Sequence, residues 1–462
     1  MKKFTELHLS ANLLQAVDAL GYTEMTEIQS KALPLMLEGQ DILAQAKTGS
    51  GKTAAFALAL LSKLQSEQTR LQSLVLCPTR ELADQVSKEI RALARFIPNV
   101  KVLSLCGGVS LRPQLASLAG HAPHIVVGTP GRVQELLDKQ VLDLHSLQSV
   151  ILDEADRMLD MGFLTDIKRI LRGAPKIRNT WLFSATYPKE ILEISEQFQK
   201  DPVKVQAEIL HDHTLIRQKF FQVEPEAKSE AVIALLIEHH PECCLVFCNT
   251  KADTKALTDI LSSRGVSAID LHGDLDQRDR DETWVQFANG SRRVLVATDV
   301  AARGLDVKAL PMVISYELPN DADTHIHRIG RTGRAGEAGL AFSFVSSREL
   351  ERINRIESVM GASIVWSKLS LGGAKGRSHE LIMPAPKMKT LVIDGGRQDK
   401  LRAGDILGAL TGVGGLNGSN IGKIDIFATR SYVAIHHNLL DQVMKKLEVG
   451  KIKARHFRLR KL

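Results

Sequence analysis

Two short segments in the first half of the chain have residue types and spacing suited to binding a nucleoside triphosphate. Residues 46–53 read AKTGSGKT and follow a short apolar run. Residues 149–156 read SVILDEAD, so a second apolar run ends in Asp153 and Glu154. Glycines let backbone N–H groups surround phosphate oxygens, and Mg²⁺ prefers carboxylates together with phosphates and water. Together the two segments predict a site for a Mg²⁺-bound nucleotide.

Each segment alone is open to a simpler interpretation. Ala46 stands where the strict phosphate-loop pattern has its first glycine, so the loop could be only a glycine-rich helix start. The carboxylates could form a solvated turn after an ordinary strand. A phosphate loop, however, needs a second strand that ends in a carboxylate, and Asp153 supplies it. In that interpretation Lys52 contacts the β- and γ-phosphates, and the Thr53 hydroxyl contacts Mg²⁺.

Short apolar runs recur along the first two hundred residues or so and predict the strands that position these side chains. The runs end near residues 46, 77, 127, 152 and 183, and polar, glycine or proline residues follow each of them. Helix-like segments separate the runs. This alternation predicts an open parallel α/β sheet, whose ligands bind at the carboxyl ends of the strands.

The same alternation starts again after a charged stretch at residues 200–218. New runs end near residues 247, 271, 297 and 316, which predicts a second parallel α/β domain without a phosphate loop. Residues 327–334, HRIGRTGR, come after the last of these runs. The three arginines could be a solvated basic face, or they could reach the γ-phosphate of a nucleotide held by the neighbouring domain.

The last part of the chain has a different order of predicted elements, β-α-β-β-α-β from residue 390 to residue 459. This order predicts the ferredoxin-like arrangement of RNA-recognition modules. Residues 381–462 contain 15 Lys/Arg and 6 Asp/Glu, a net charge of +9 in a chain whose total is +7. On the third strand Tyr432 is the only aromatic residue, so the usual aromatic signature is absent. Basic residues crowd the predicted final strand: Lys451, Lys453, Arg455, Arg458, Arg460 and Lys461. They favour RNA contact, with a solvated face as the alternative.

The composition is that of an ordinary globular protein, with 44% hydrophobic and 24% charged residues. No apolar run approaches the roughly 18 residues of a membrane span. Glu6 and His8 interrupt any secretory signal, so we expect a cytoplasmic chain that does not bind membranes. The five cysteines lie within apolar runs and predict reduced thiols rather than a zinc site. We expect parallel α/β domains at residues 1–208 and 218–370, a linker at 371–386 and a third domain at 387–462.

The order of the motifs resembles that of the DEAD-box RNA helicases over the first 370 residues or so. The matching strings are residues 46–53, 78–82 (PTREL), 107–108 (GG), 129–132 (TPGR), 153–156 (DEAD), 184–186 (SAT), 297–299 (ATD), 303–306 (RGLD) and 327–334. The last domain resembles, less specifically, the RNA-binding domain of the DbpA type, through IGKI at 421–424 and YVA at 432–434. The resemblance implies two tandem RecA-like parallel α/β domains followed by a small α+β RNA-recognition-like domain.

The resemblance also implies roles for individual residues. Gln29 would read the adenine edge, and Phe4 would stack on the base. The phosphates would be held by Ala46, Lys47, Thr48, Gly49, Ser50, Gly51, Lys52 and Thr53. Catalysis would use Lys52, Asp153 as a water-mediated Mg²⁺ ligand, Glu154 as general base, and Arg331 and Arg334 as arginine fingers, with Asp306 near the nucleotide. RNA would be contacted by Arg80, Gly108, Thr129, Arg132, Gln277, Arg280 and Thr298, and hydrolysis would be coupled to RNA through Asp156, Ser184 and Thr186.

The implied function is an ATP-dependent RNA helicase that opens short duplexes locally. Its implied cofactors are ATP and Mg²⁺, and its implied target is a hairpin of the large-subunit (23S) ribosomal RNA in pre-50S particles. We expect a monomer that does not use DNA, with an oligomer left open. The main alternative is an ATP-gated RNA clamp or assembly scaffold with little unwinding, and a DNA translocase is a third, weaker hypothesis.

Overall fold

Three β-sheets with flanking helices make up the computed structural model, which describes residues 2–46, 49–206, 216–302, 310–333, 338–369, 383–412 and 414–462. The described residues up to 206 form one compact unit, and those from 216 onward form another, which contains two of the sheets. Within these ranges no helix is long and apolar enough to cross a membrane.

The first unit is built on a parallel sheet. Its described strands are β1 (Ile42–Gln45), β2 (Ser73–Leu76), β3 (Val102–Leu105), β4 (Ile125–Gly128), β5 (Ser149–Leu152), β6 (Asn179–Ser184) and β7 (Val203–Gln206). They pair in the order β3-β4-β2-β5-β6-β1-β7. Every residue of β2, β4 and β5 is buried, because helices cover both faces of the sheet.

The helices of this unit lie between the strands in sequence. They are α1 (Ala11–Ala19), α2 (Glu27–Leu37), α3 (Lys52–Lys63), α4 (Arg80–Leu93), α5 (Leu111–Gly120), α6 (Pro130–Asp138), α7 (Ala155–Asp160), α8 (Leu164–Gly173) and α9 (Lys189–Phe198). Thr26 and Gln29 form a capping box at the start of α2. The predicted parallel α/β architecture is confirmed.

The second sheet repeats the topology of the first. Its described strands are β8 (Ile216–Gln222), β9 (Cys244–Cys248), β10 (Ala268–Leu271), β11 (Val294–Thr298), β12 (Met312–Ser315), β13 (Gly339–Val345) and β14 (Trp366–Ser367). They pair in parallel in the order β10-β11-β9-β12-β13-β8-β14, which matches the first sheet position by position. Strand β8 takes the place of β1, but residues 223–225, VEP, follow it instead of a glycine loop. The helices are α10 (Lys228–His239), α11 (Lys251–Ser263), α12 (Gln277–Ala288), α13 (Asp299–Ala302), α14 (Ala322–Ile329) and α15 (Leu350–Met360).

The tail, residues 387–462, forms the predicted β-α-β-β-α-β module. Its elements are β15 (Met388–Ile393), α16 (Ala403–Thr411), β16 (Ile421–Ile426), β17 (Ser431–His436), α17 (Leu440–Val449) and β18 (Leu459–Lys461), and its antiparallel sheet has the order β16-β17-β15-β18. The final strand starts later than predicted. Lys453 and Ala454 have φ values of 50° and 62°, a left-handed turn that no strand accommodates. The basic residues from 451 to 458 therefore lie before the strand, and their predicted place on the final strand is wrong.

The two faces of the tail sheet have different neighbours. One face, with Leu391 and Val433, packs on the tail's own helices. On the other face, Val392 and Tyr432 pack against Val285 of α12 in the second domain. The α12 helix thus covers part of the sheet face that faces away from the tail's helices.

The charged stretch at residues 200–218 and the predicted linker at 371–386 both contain described residues with defined structure. Strand β7 and the start of β8 lie within residues 200–218. Met383, inside the predicted linker 371–386, is 2% exposed and packs in the core of the second domain. The domain boundaries themselves stay predictions.

Candidate nucleotide and RNA site

The phosphate loop connects β1 to the N-terminus of α3. Lys47 and Thr48 lie outside the described residues, whereas Ala46 is buried at the end of β1. Gly49 and Gly51 have φ values of 86° and 89°, in the left-handed region that favours glycine. The loop leads into the N-terminus of α3, and the N-terminus of a helix favours an anion.

Gln29 ties the loop to the start of α2. The Thr26 backbone N–H donates to Gln29 Oε1 at 2.8 Å, and Gln29 Nε2 donates to the Gly51 carbonyl at 3.0 Å. A Cβ atom on Gly51 would lie 2.6 Å from Gln29 Nε2, so the contact itself requires glycine at position 51. Phe4 is 3% exposed and its ring centroid is 6.4 Å from that of Tyr22. Adenine contacts of Gln29 and Phe4 stay predictions.

Lys52 is buried together with the two carboxylates that end β5. Its Nζ lies 2.7 Å from Asp153 Oδ1 and 3.7 Å from Glu154 Oε1. Burial alone would lower the pKa of Lys52, but the charges of Asp153 and Glu154 raise it above its usual value. Burial raises the pKa of Asp153, Lys52 opposes that shift and Glu154 adds to it. In this structure the carboxylates neutralise the lysine that a phosphate would otherwise contact.

Glu154 has an unusual backbone conformation. Its φ and ψ values are 52° and 54°, a left-handed turn that costs a non-glycine residue roughly 1–3 kcal/mol. This turn ends β5 and starts α7, and it directs the Glu154 side chain towards Lys52. Strain of this kind persists where the surrounding structure holds it, and such residues concentrate at functional sites.

Asp156 connects the acidic strand end to the segment after β6. Its Oδ2 accepts hydrogen bonds from the Ala185 N–H at 3.2 Å, and from the Thr186 N–H and hydroxyl at 3.1 Å each. The Ser184 hydroxyl donates to the Thr186 carbonyl at 2.6 Å and accepts from the Asp156 N–H at 3.3 Å. The three predicted coupling residues, Asp156, Ser184 and Thr186, therefore form one hydrogen-bonded group.

The predicted RNA contacts of the first domain follow three neighbouring strands, β2, β3 and β4. The Gly107 N–H donates to Thr129 Oγ1 at 3.2 Å, and Arg132 Nη2 donates to the Val109 carbonyl at 3.0 Å, so both side chains hold the loop that contains Gly108. Burial raises the pKa of the Cys106 thiol to about 12. The charge of Arg80, at the start of α4, lies close enough to act in the opposite direction. Arg80, Gly108, Thr129 and Arg132 are thus brought together at one sheet edge.

The described predicted residues of the second domain come after β10, at the end of β11 and after the helix that follows β12. Gln277 starts α12 and donates to Asp281 Oδ1 at 2.8 Å, and Arg280 lies one turn further on. Thr298 ends β11. Arg331, 9% exposed, follows α14, and its carbonyl accepts from the Leu310 N–H at 3.1 Å. Asp306 and Arg334 lie outside the described residues.

The residues present fit Mg²⁺ that arrives with a nucleotide. Among the described side chains no group of three or more His, Cys, Asp or Glu could form a complete metal cage. The fully buried Asp153 and the half-buried Thr53 hydroxyl supply only one carboxylate and one neutral oxygen. Mg²⁺ commonly takes one or two carboxylates and completes its shell with water and phosphate oxygens.

Sequence reasoning missed the contact between the tail and α12. Arg460 Nη1 lies 3.2 Å from Glu282 Oε2, and Arg460 Nη2 also contacts this carboxylate. The Asn289 amide donates to Thr390 Oγ1 at 2.9 Å. Arg460, predicted to face RNA, is therefore paired within the protein. A signal was available, since Val392 and Tyr432 put apolar surface on the face of the sheet away from the tail's helices.

Comparison with known families accounts for most of the chain. Residues 26–194 match the DEAD/DEAH box helicase family, residues 227–336 match the helicase conserved C-terminal domain, and residues 390–461 match the DbpA RNA binding domain. The chain belongs to the DEAD-box family of ATP-dependent RNA helicases. Over 449 residues it is 48% identical to the ATP-dependent RNA helicase DbpA of Escherichia coli strain K12, with 97% of each chain covered.

Other relatives share the two helicase domains. The DEAD-box ATP-dependent RNA helicase CshA of Streptococcus pneumoniae (strain TIGR4) is 45% identical over 359 residues, which cover 77% of this chain and 68% of that protein. The solved structure of S. cerevisiae Dbp5 bound to RNA and ADP BeF3 is 30% identical and covers 82% of this chain and 98% of its own, with a TM-score of 0.73. The RecA-like character of both parallel sheets is thereby confirmed.

Proposed function

We propose that this helicase uses ATP hydrolysis to open short duplexes in 23S ribosomal RNA during assembly of the large ribosomal subunit, and that its tail selects the RNA. The buried cluster of Lys52, Asp153 and Glu154 beside a phosphate loop is the observation that carries the ATP chemistry. The proposal that the tail selects the RNA is supported by the match to the DbpA RNA binding domain and by the net charge of +9 on residues 381–462.

In the proposed reaction Lys52 leaves the carboxylates for the β- and γ-phosphates. Thr53 and Asp153 would hold Mg²⁺, which supplies charge neutralisation at the phosphates when it is bound. Glu154 would accept the proton of the attacking water. Arg331 and Arg334 would stabilise charge on the γ-phosphoryl group, a contribution of roughly 10³–10⁵ in rate for arginine fingers.

RNA would bind along the residues gathered at the sheet edge of the first domain, together with Gln277, Arg280 and Thr298 of the second. Such contacts to phosphates and 2′-hydroxyls carry little base information, so selection of one RNA is left to the tail. The hydrogen bonds that Asp156 accepts from Ala185 and Thr186 offer a direct route between the acidic strand end and the segment after β6. A cytoplasmic location and a monomeric state stay predictions.

The substitution Glu154→Gln tests the proposed chemistry. Glutamine keeps the size and shape of the side chain but cannot accept the water proton, so we expect normal ATP binding and a loss of roughly 10² or more in RNA-stimulated turnover. Glu193→Gln is the matched control, because Glu193 lies on the surface of the same unit, 3.6 Å from Lys168. Turnover of Glu154→Gln close to that of the control would refute the assignment of the general base.

A further inference from the structure

The loop after β3, residues 106–109 (CGGV), is held by side chains from three elements. Thr129, directly after β4, and Arg132 of α6 supply two of these contacts. The third comes from Gln114 of α5, whose Nε2 donates to the Cys106 carbonyl at 3.0 Å. Gln114 is 8% exposed and Cys106 is 4% exposed, so this hydrogen bond is largely shielded from water.

A glutamine is an unexpected residue at this position of α5. It is the only buried residue of the helix, whereas Leu111, Leu115 and Leu118 are only partly buried. The Oε1 of Gln114 is also buried and accepts no hydrogen bond from the described residues. A buried acceptor without a donor is costly, so an apolar side chain of similar size would suit the packing at least as well. What the amide adds is the one hydrogen bond to the loop.

The loop itself offers little stiffness. Gly108 has a φ of 73°, in the left-handed region, and glycine loses more conformational freedom on ordering than any other residue. Gly107 has open space where a Cβ atom would lie, so no neighbouring atom packs against that side of it. Gly108 is also a proposed RNA contact, and RNA that met a disordered loop would have to order it at a cost in affinity. Contacts that order the loop beforehand remove that cost.

We propose that Gln114 is a positioning residue that orders the glycine loop for RNA without touching RNA itself. Its hydrogen bond fixes the Cys106 carbonyl, and with it the start of the loop, before RNA arrives. The affinity for RNA then depends on Gln114, whereas the rate of ATP hydrolysis at saturating RNA does not. The inference rests on the proposed function, which supplies the RNA contact of Gly108.

The test compares full-length Gln114→Leu with wild type on one RNA, the proposed hairpin with a single-stranded extension. Leucine has a similar volume and removes the unpartnered Oε1 together with the donor, so the unfolding temperature should stay within about 3 °C of wild type. We expect the RNA concentration that gives half-stimulation of ATP hydrolysis to rise about tenfold, and kcat at saturating RNA to change by less than about twofold. Ser117→Ala is the control, since it removes an exposed hydrogen bond in the same helix, and it should leave both quantities unchanged.

The salt dependence of RNA binding separates a positioning role from a direct contact. On single strands the slope of log K against log salt changes by about 0.7 for each phosphate that the protein neutralises. Gln114→Leu removes no positive charge, so its slope should equal that of wild type. Arg80→Gln removes the charge of a proposed RNA contact, so it should weaken binding and make the slope shallower by about 0.7. An equally shallow slope in Gln114→Leu would mean that this variant loses a phosphate contact, which contradicts a positioning role.

Two further outcomes would overturn the inference while the proposed function stands. If Gln114→Leu reaches half-stimulation at the wild-type RNA concentration while Arg80→Gln is weakened, the loop is ordered without Gln114. If Gln114→Leu loses kcat and unfolding temperature together, with half-stimulation unchanged, the role of Gln114 is purely structural. RNA binding by Arg80→Gln that equals wild type would instead remove the proposed RNA path on which the inference depends.

Discussion

Replacing Lys52 with methionine tests whether the phosphate-loop lysine and the acidic strand end form a buried pair. Lys52 is 4% exposed and Asp153 is fully buried, with 2.7 Å between Nζ and Oδ1. Methionine keeps much of the side-chain volume but leaves Asp153 beside Glu154 without its cation. Removal of one partner from a buried pair costs roughly 3–5 kcal/mol, a large share of the stability of an ordinary domain. We expect a loss of that size in the free energy of unfolding of the first domain near pH 8.

The loss should depend on pH in a defined direction. Burial already raises the pKa of Asp153 in the folded protein, and removal of Lys52 takes away the charge that opposes the rise. A folded-state pKa above the unfolded value of about 3.9 means that the destabilisation is fully present above the folded pKa. It fades as the pH falls towards the unfolded pKa, because Asp153 then becomes neutral. The variant should therefore be closest to wild type near the acid end of the range.

Urea unfolding followed by tryptophan fluorescence measures this loss. Trp181 is fully buried in the core of the first domain, so a background with Trp284→Phe and Trp366→Phe makes the signal report that domain alone. Lys31→Met is the control, since Lys31 forms an exposed pair with Glu27. This variant should change the free energy of unfolding by less than about 1 kcal/mol, both near pH 8 and at acid pH. Equal losses at Lys52 and Lys31, or a loss at Lys52 that does not vary with pH, would show that Lys52 and Asp153 do not form a buried pair that stabilises the domain.

Further substitutions test two other contacts. Gly51→Ala places a Cβ atom 2.6 Å from Gln29 Nε2 in a left-handed turn, so the affinity for an ATP analogue should fall by about tenfold or more. Gly162→Ala is the control, because Gly162 also has a positive φ but has open space around it, and this variant should keep the affinity unchanged. Glu282→Arg and Arg460→Glu should each expose the tail to limited proteolysis by placing like charges together, and the double swap should restore protection. Equal affinity in the two glycine variants, or a double swap as sensitive as the singles, would contradict these expectations.

Local sequence pattern was sufficient for much of the architecture. A strand buried on both faces is an apolar run, and the residue types change abruptly where it reaches the sheet edge. The run that ends before Asp153 therefore marks β5, and residues 268–271 mark β10 without error. Motif spacing was equally informative, since Lys52 and Asp153 are adjacent in the fold although about a hundred residues separate them.

Contacts between distant segments could not be predicted in this way. The partners of Arg328 come from positions 249, 299 and 317, and no local pattern shows that these strand ends converge on one guanidinium. The contact from Gln29 to Gly51 depends on the packing of α2 against the phosphate loop. The start of the last strand was predicted wrongly because basic residues also suit a loop, and the left-handed turn at Lys453 and Ala454 has no glycine to reveal it.

The most direct test of the central claim is strand displacement by the full-length protein on a short RNA duplex joined to the proposed 23S hairpin. We expect strand displacement with ATP, little displacement with a non-hydrolysable analogue, and much less displacement when the hairpin is replaced by an unrelated one. Displacement that is equal with the analogue would instead support the ATP-gated clamp. Displacement that is equal on RNA without the hairpin would contradict selection by the tail.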